Sequence, residues 1–384
     1  KNHRDVWVVC NPADYARVLG ALDKPSADDE SFRRELAGRV FRHTAAYDAI
    51  IADWFSSRTE GPEDVPQEFL ATGILQQTLR YGENPHQKAA FYRDAVPSAA
   101  AGVPDCRQLQ GKELSYNNIL DLSAAFGLAR EFATAQDPFC CILKHNNPCG
   151  AALAEDLVTA FERAWSGDSE AAFGSVIGLT REVDSVTAAA IATRFVEIVV
   201  APGFSAEALE IFGAKKNLRL MVFDKPLLAG QAAGWTARRV SGGWLRQEAD
   251  PAGVDRSLWS VASQRQPEPE ELDDCEFLWK IVKHVRSNAI CIGSGRTLLG
   301  CGAGQMSRVD SVRIAIGKAR GRAPRLAMAS DAFFPFRDGA DLAAEGGVTV
   351  IIQPGGSIRD DEVRAACDEH GMAQVLSGRR HFLH

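Results

Sequence analysis

The sequence predicts an α/β protein: two α/β/α units preceded by a short, mainly helical N-terminal segment. Three observations carry that prediction. Strand-like apolar runs alternate with helical stretches from about residue 72 to 225, the alternation resumes from 269 to the end, and the stretch between is rich in Gly, Trp, Gln and Arg and breaks the pattern. Such alternation lays helices over both faces of a largely parallel sheet. The 384 residues, at about 150 per domain, allow two or three domains, and the expected boundaries are 1–71, 72–225, 226–268 and 269–384.

In chain order, Val6–Cys10 reads as a strand. Leu36, Val40, Phe41 and Ala45 then recur at helical spacing, and the pattern continues through 48–55. A polar break at 56–62 reads as a linker. The next expected elements are a helix over 121–133, a strand over 139–144, a helix over 156–165 and a strand over 198–201. Residues 226–265 read as irregular. Beyond them come a helix over 270–285, strands over 289–292 and 348–353, and a helix over 360–370.

Composition excludes several classes. The net charge of −7 argues against general affinity for nucleic acid, which favours a basic stripe. No apolar run approaches the ~18 residues of a membrane span, and no charged-then-apolar signal segment opens the chain. Nine cysteines form no C-x-x-C, and Cys140, Cys141 and Cys291 sit in apolar runs as small hydrophobes, which suits a reducing cytoplasm. Zinc deaminase chemistry needs H-x-E with P-C-x-x-C; Pro148-Cys149 is present, but position 152 is Ala and no H-x-E occurs. No zinc is expected.

Four stretches carry candidate chemistry. Arg80-Tyr81-Gly82-Glu83-Asn84-Pro85 offers a guanidinium fork and a phenol on a turn. Lys144-His145 follows the run 139–143 and precedes a Pro/Gly turn, where ligands of α/β sheets bind beyond strand ends. The lysine charge disfavours a second charge on its neighbour, leaving His145 a proton acceptor. Gly302-Ala303-Gly304-Gln305-Met306-Ser307-Arg308 matches a dinucleotide loop poorly, because Ser307 stands where the third glycine belongs. Ser330–Asp338 gathers Phe333, Phe334 and Phe336 around Pro335 without a helix or strand period, as a stacking surface for a flat heterocycle would. Each also has a plain structural reading, as a surface loop, a core histidine, a turn or a buried loop.

Taken together, 79–87, 109–120, 144–150, 172–174, 201–203, 287–288, 302–308, 329–338, 353–361 and the tail at 379–384 resemble the bifunctional purine-biosynthesis family that joins a formyltransferase to inosinate (IMP) cyclohydrolase. Lys1-Asn2-His3 resembles the point where that family's cyclohydrolase domain is ending, so 1–71 would be its remnant and a linker. Cyclohydrolase activity is then expected only of the full-length chain. The resemblance implies two cytidine-deaminase-like units without the deaminase zinc. It also implies transfer of formyl from 10-formyltetrahydrofolate to the 5-amino group of aminoimidazole carboxamide ribonucleotide (AICAR).

By the same resemblance Lys144 and His145 are the catalytic pair, supported by Asn288. Arg80, Tyr81, Asn118, Gly174, Glu197, Phe333, Arg380 and His384 line the nucleotide site; Glu197 stands where eukaryotic members carry Asp. Arg308, Val309, Phe336 and Asp338 fall on the folate side. The family implies a cytoplasmic homodimer with sites shared between subunits and allows a structural potassium ion. The competing readings are a non-catalytic nucleotide-binding module and a zinc deaminase-like hydrolase.

Overall fold

The computed structural model describes residues 2–26, 28–59, 65, 67–96, 101–227, 235–250 and 253–384; Lys1 and 60–62 of the expected linker lie outside them. Internal contacts divide the chain into Lys1–Thr78 with Ala90–Pro97, and Leu79–Ala89 with Ser98–His384.

In the first unit, Asn11 accepts the Ala13 N–H and starts a 3-10 turn that runs into α1 (Tyr15–Asp23), followed by α2 (Asp29–Thr59). The two expected helical stretches are one 31-residue helix, which continues past Ser56 where a break was expected. Among the described residues the expected strand at 6–10 pairs with no strand. Trp7 and Val9 instead pack on Val18, Phe32 and Leu36, so helices rather than a ladder take up their apolar faces. A two-stranded sheet, β1 (Gly73–Leu79) with β2 (Ala89–Asp94), follows.

The second unit is built twice from one plan. Its first half runs β3 (Cys106–Gln110), α3 (Tyr116–Glu131), β4 (Phe139–Lys144), β5 (Asn147–Leu153), α4 (Leu157–Gly167), β6 (Ser175–Leu179), α5 (Ser185–Ala192), β7 (Val196–Ala201), α6 (Ala206–Gly213) and β8 (Arg219–Phe223). A hairpin follows, β9 (Trp235–Val240) with β10 (Gly243–Glu248). The second half runs β11 (Ser260–Val261), α7 (Pro269–Val282), β12 (Ile290–Ser294), β13 (Thr297–Gly302), α8 (Arg308–Ala319), β14 (Leu326–Ser330), α9 (Asp338–Glu345), β15 (Val348–Gln353), α10 (Asp360–Glu369) and β16 (Ala373–Leu376). Residues 235–248 were expected to be irregular. Their mostly exposed side chains give no burial pattern from which a hairpin could be read.

Both halves share one sheet in the order β11-β16-β15-β14-β12-β13-β5-β4-β6-β7-β8-β3, which maps onto itself from either end. The halves meet where β13 and β5 pair antiparallel at Thr297 and Ala152. The sheet is mixed, not largely parallel. β6-β7-β8 and β14-β15-β16 are parallel, but β4-β5, β12-β13 and the central pair are antiparallel. Two-residue turns join β4 to β5 and β12 to β13, and so short a connection permits only an antiparallel pair.

Alternate residues explain the layers. Cys141 and Leu143 join Leu122 of α3, Leu278 of α7 and Cys291 of β12 in one core under both halves. Cys140 and Ile142 face α4–α6, while Ile290 and Ile292 face α8–α10. Strands covered on both faces run apolar residue after residue, as β4 does from Phe139 to Leu143. The three singled-out cysteines are fully buried, and burial pushes the Cys141 thiol up to about 12. Matching glycines allow close packing in each half: a Cβ on Gly150 would sit 1.9 Å from the Ala164 carbonyl oxygen, and one on Gly300 2.1 Å from that of Ala315.

Candidate active site

β4 delivers Lys144 to the end of the sheet, paired with Asn147 across a two-residue turn. The turn residues, His145 (φ 51°) and Asn146 (φ 63°), are both left-handed, as the tightest hairpin turns require. The turn is tied from three sides. Asp121 of α3 accepts the Asn146 N–H at 2.6 Å, Asn147 donates to the His145 carbonyl at 3.1 Å, and Asn147 Oδ1 accepts the Arg286 N–H at 3.1 Å. His145 is thereby exposed at the apex.

Lys144 Nζ donates to the carbonyls of Phe173 and Gly174, each at 2.9 Å, so two of its three N–H bonds are spent on the protein. Gly174 has φ +68°, and a Cβ there would lie 3.2 Å from Lys144 Nζ and from the Phe195 ring. Asn118 shares a capping box with Ser115 at the start of α3 and donates to Glu197 Oε2 at 3.0 Å. Burial pushes the Asp121 carboxyl up, opposed by the Asn146 N–H and the charges of His145 and Lys144, and reinforced by Glu197.

Glu197, Phe173 and Phe195 line a cavity of about 890 Å³ whose other walls include Lys112, Lys215, Lys216 and Arg219. The two rings lie 4.8 Å apart, and Arg219 stands 3.9 Å from Glu197. Sequence reasoning missed these cations. They come from two segments distant in the chain, at 112 and at 215–219, which only the fold brings to one cavity.

A second cavity, about 480 Å³, gathers Asn288, Arg308, Val309, Phe333, Phe336, Asp338 and Arg380. Asn288 donates to the carbonyls of Gln305 and Met306 and accepts from Arg308 at 2.8 Å. Arg308 is buried, its guanidinium also donating to Ser330 and Asp331. Of the three aromatics expected to form a stacking surface, Phe334 is core, because its backbone N–H is drawn to buried Gln353; Phe333 and Phe336 stay accessible. Phe336 lies under Arg359 at 4.8 Å, and Arg380 over Phe382 at 4.6 Å. In the glycine-rich loop, Gly302 lets α8 pack on β13 and Gly304 takes φ +67°.

The tail is anchored. His381 donates its N–H to the Asp331 carbonyl at 3.1 Å and bonds Asp250 through Nδ1 at 2.6 Å, while the Leu383 carbonyl accepts from Ser287 at 2.9 Å. The His384 carbonyl accepts from Arg238 at 3.2 Å and from Arg286. Arg80 and Tyr81 stack on each other at 5.5 Å in the turn after β1. The predicted residues thus fall into three groups: Lys144 to Glu197, Asn288 to Arg380 with the tail, and the Arg80-Tyr81 turn. Among the described residues no three of His, Cys, Asp and Glu stand together as a metal-ion site.

A family model described as the AICARFT/IMPCHase bienzyme matches residues 1–318. The chain is 50% identical over 387 residues to the bifunctional purine biosynthesis protein PurH of Myxococcus xanthus, a match covering all of this chain and 74% of that protein. It is 46% identical to the protein of the same name from Bacillus subtilis, with 100% and 73% covered, and 48% identical to that of Acidithiobacillus ferrooxidans, with 100% and 74% covered.

Proposed function

Since the chain belongs to the AICARFT/IMPCHase bienzyme family, we propose that the hairpin turn bearing Lys144 and His145 is where its formyl transfer takes place. The activity is AICAR transformylase: the 5-amino nitrogen of the nucleotide attacks the formyl carbon of 10-formyltetrahydrofolate. A tetrahedral oxyanion forms, the bond from that carbon to folate N10 breaks, the amine gives up a proton and N10 takes one.

The observation that carries this reading is the Lys144-His145 pair on a tied turn beside a large cationic cavity. The amine is conjugated to an electron-poor ring, so it needs its proton removed as it attacks. His145, exposed at the apex, suits that task. Lys144 retains an N–H for the oxyanion or for N10. Gly174, Asn118 and Glu197 would line the nucleotide, and Lys215, Lys216 and Arg219 supply charge for its phosphate. Arg308, Val309, Phe336 and Asp338 would take the folate, with Phe333 of the same cavity turned to the nucleotide and Asn288 supporting the catalytic pair.

Several finer assignments belong to the same reading. Each half of the second unit is cytidine-deaminase-like, an assignment supported by its β-hairpin followed by three parallel strands. The working enzyme is a homodimer whose sites draw on both subunits, which suits candidate residues that form separate groups in one chain. Its compartment is the cytoplasm, which suits nine free cysteines. A structural potassium ion belongs to the same reading.

A transformylase assay tests the assignment. His145→Ala and Lys144→Ala should each lower kcat and kcat/KM together by ~10²–10⁴ while the nucleotide KM stays nearly unchanged. A His145→Ala enzyme that binds nucleotide poorly yet keeps a near-normal kcat would reduce His145 to a ligand contact.

A further inference from the structure

The internal duplication gives the catalytic turn a counterpart that carries none of the candidate catalytic residues. In the second half, β12 and β13 are joined by Gly295 and Arg296, again both left-handed (φ 58° and 54°). Asp274 is the sixth residue of α7, as Asp121 is the sixth of α3. Asp274 accepts the N–H groups of Gly295 at 3.0 Å and Arg296 at 2.6 Å, much as Asp121 accepts that of Asn146 at 2.6 Å. The fold therefore uses one device twice: a helix aspartate that clasps a left-handed hairpin turn.

The difference between the copies is informative. Where the first half has His145, the second has Gly295, and glycine enters the left-handed region without steric cost. The fold thus calls for a left-handed residue at this place but not for a histidine. A histidine there is a strained choice that persists only where its surroundings over-determine it. Asp121 is the side chain best placed to do so. It lies between the turn and Glu197, which bonds Asn118 on the same helix.

We propose that Asp121 is a positioning residue for the formyl transfer: it clasps the turn that presents His145 and so fixes where that imidazole stands. The proposal rests on the reading of His145 given above. The charged groups facing Asp121 are Lys144 and His145 from the hairpin and Glu197 from β7, with Arg219 of β8 standing 3.9 Å from Glu197.

Asp274 supplies an internal control, since it makes the same kind of contact on the turn at the other end of the central strands. The experiment compares Asp121→Ala, Asp121→Asn, Asp274→Ala and His145→Ala in the full chain, by steady-state kinetics and thermal unfolding. Asp121→Ala should lower kcat about 10- to 100-fold with nucleotide KM little changed, the scale expected for a small misplacement of a catalytic group. Asp274→Ala should lose comparable thermal stability yet keep kcat within about twofold. Asp121→Asn retains an oxygen acceptor for the Asn146 N–H, so it should recover much of the rate that Asp121→Ala loses.

Equal rate losses in Asp121→Ala and Asp274→Ala would overturn the proposal. So would an Asp121→Asn enzyme that keeps the wild-type melting temperature yet loses more than about tenfold in kcat, a result that decides the matter even if Asp121→Ala fails to fold. The underlying reading fails separately, through a His145→Ala enzyme with near-normal kcat. An inactive His145→Ala beside a fully active Asp121→Ala sinks only the role given to Asp121.

Discussion

Replacing Glu131 by Gln should unfasten the two halves of the second unit in a pH-dependent way. Glu131 closes α3, and its side chain is 2% exposed. Oε1 accepts from Lys283 Nζ at 2.8 Å and lies 3.0 Å from His284 Nε2, both just beyond α7, and Oε2 accepts the Gly253 N–H at 2.9 Å. Burial by itself would raise this carboxyl. The His284 hydrogen bond and the charges of His284 and Lys283 overcome burial and bring it down from 4.5 to about 2. That difference, at about 1.4 kcal/mol per pH unit, is roughly 3 kcal/mol of stability. The figure agrees with the ~3–5 kcal/mol lost when one partner of a buried ion pair is removed. Because the folded value is depressed, the contribution is complete above pH 4.5 and drains away as pH falls towards about 2. Urea unfolding of wild type and Glu131→Gln at pH 7 should therefore differ by about 3 kcal/mol, and at pH 3 by about half that or less. Parallel curves at both pH values, or a neutral-pH difference below about 1 kcal/mol, would refute the argument.

Two further outcomes follow from the cavities. Gly174→Ala forces a Cβ into a left-handed residue at about 1–2 kcal/mol and against Lys144 Nζ, so kcat should fall by more than the modest drop in melting temperature would suggest. Phe336→Ala removes an accessible ring from the second cavity and should raise the formyl-folate KM several-fold while leaving the nucleotide KM alone; the reverse pattern in steady-state kinetics would reassign that wall.

Strands buried on both faces were the most legible elements. β4 and β15 fall at 139–144 and 348–353, where their mainly apolar runs put them. β5 was not legible, since Asn147-Pro148-Cys149-Gly150 carries turn residues and the turn that reverses the chain holds His-Asn in place of a glycine pair. Missing β5 and its counterpart β13 hid the mixed character of the sheet. At the site, Lys144 and His145 stood out because charged, titratable residues end an apolar run. Asp121, Lys216 and Arg219 did not, because each looks like an ordinary polar residue of a helix, loop or strand until tertiary structure brings it to the turn or the cavity.

The seam between β5 and β13 has a consequence for how the chain comes off the ribosome. β5 lies mid-sheet, and its stretch Gly150–Leu153 is buried in the finished protein. Its partner β13 belongs to the other half and is made only after the whole first half has emerged. At about 5–20 residues per second, the nascent first half carries a bare, apolar strand edge for many seconds. The seam lies on a pseudo-twofold axis, so the edge awaiting β13 is shaped for a strand much like itself. A neighbouring nascent chain offers such a strand, which makes this stretch a natural client for whatever holdase meets the polypeptide first.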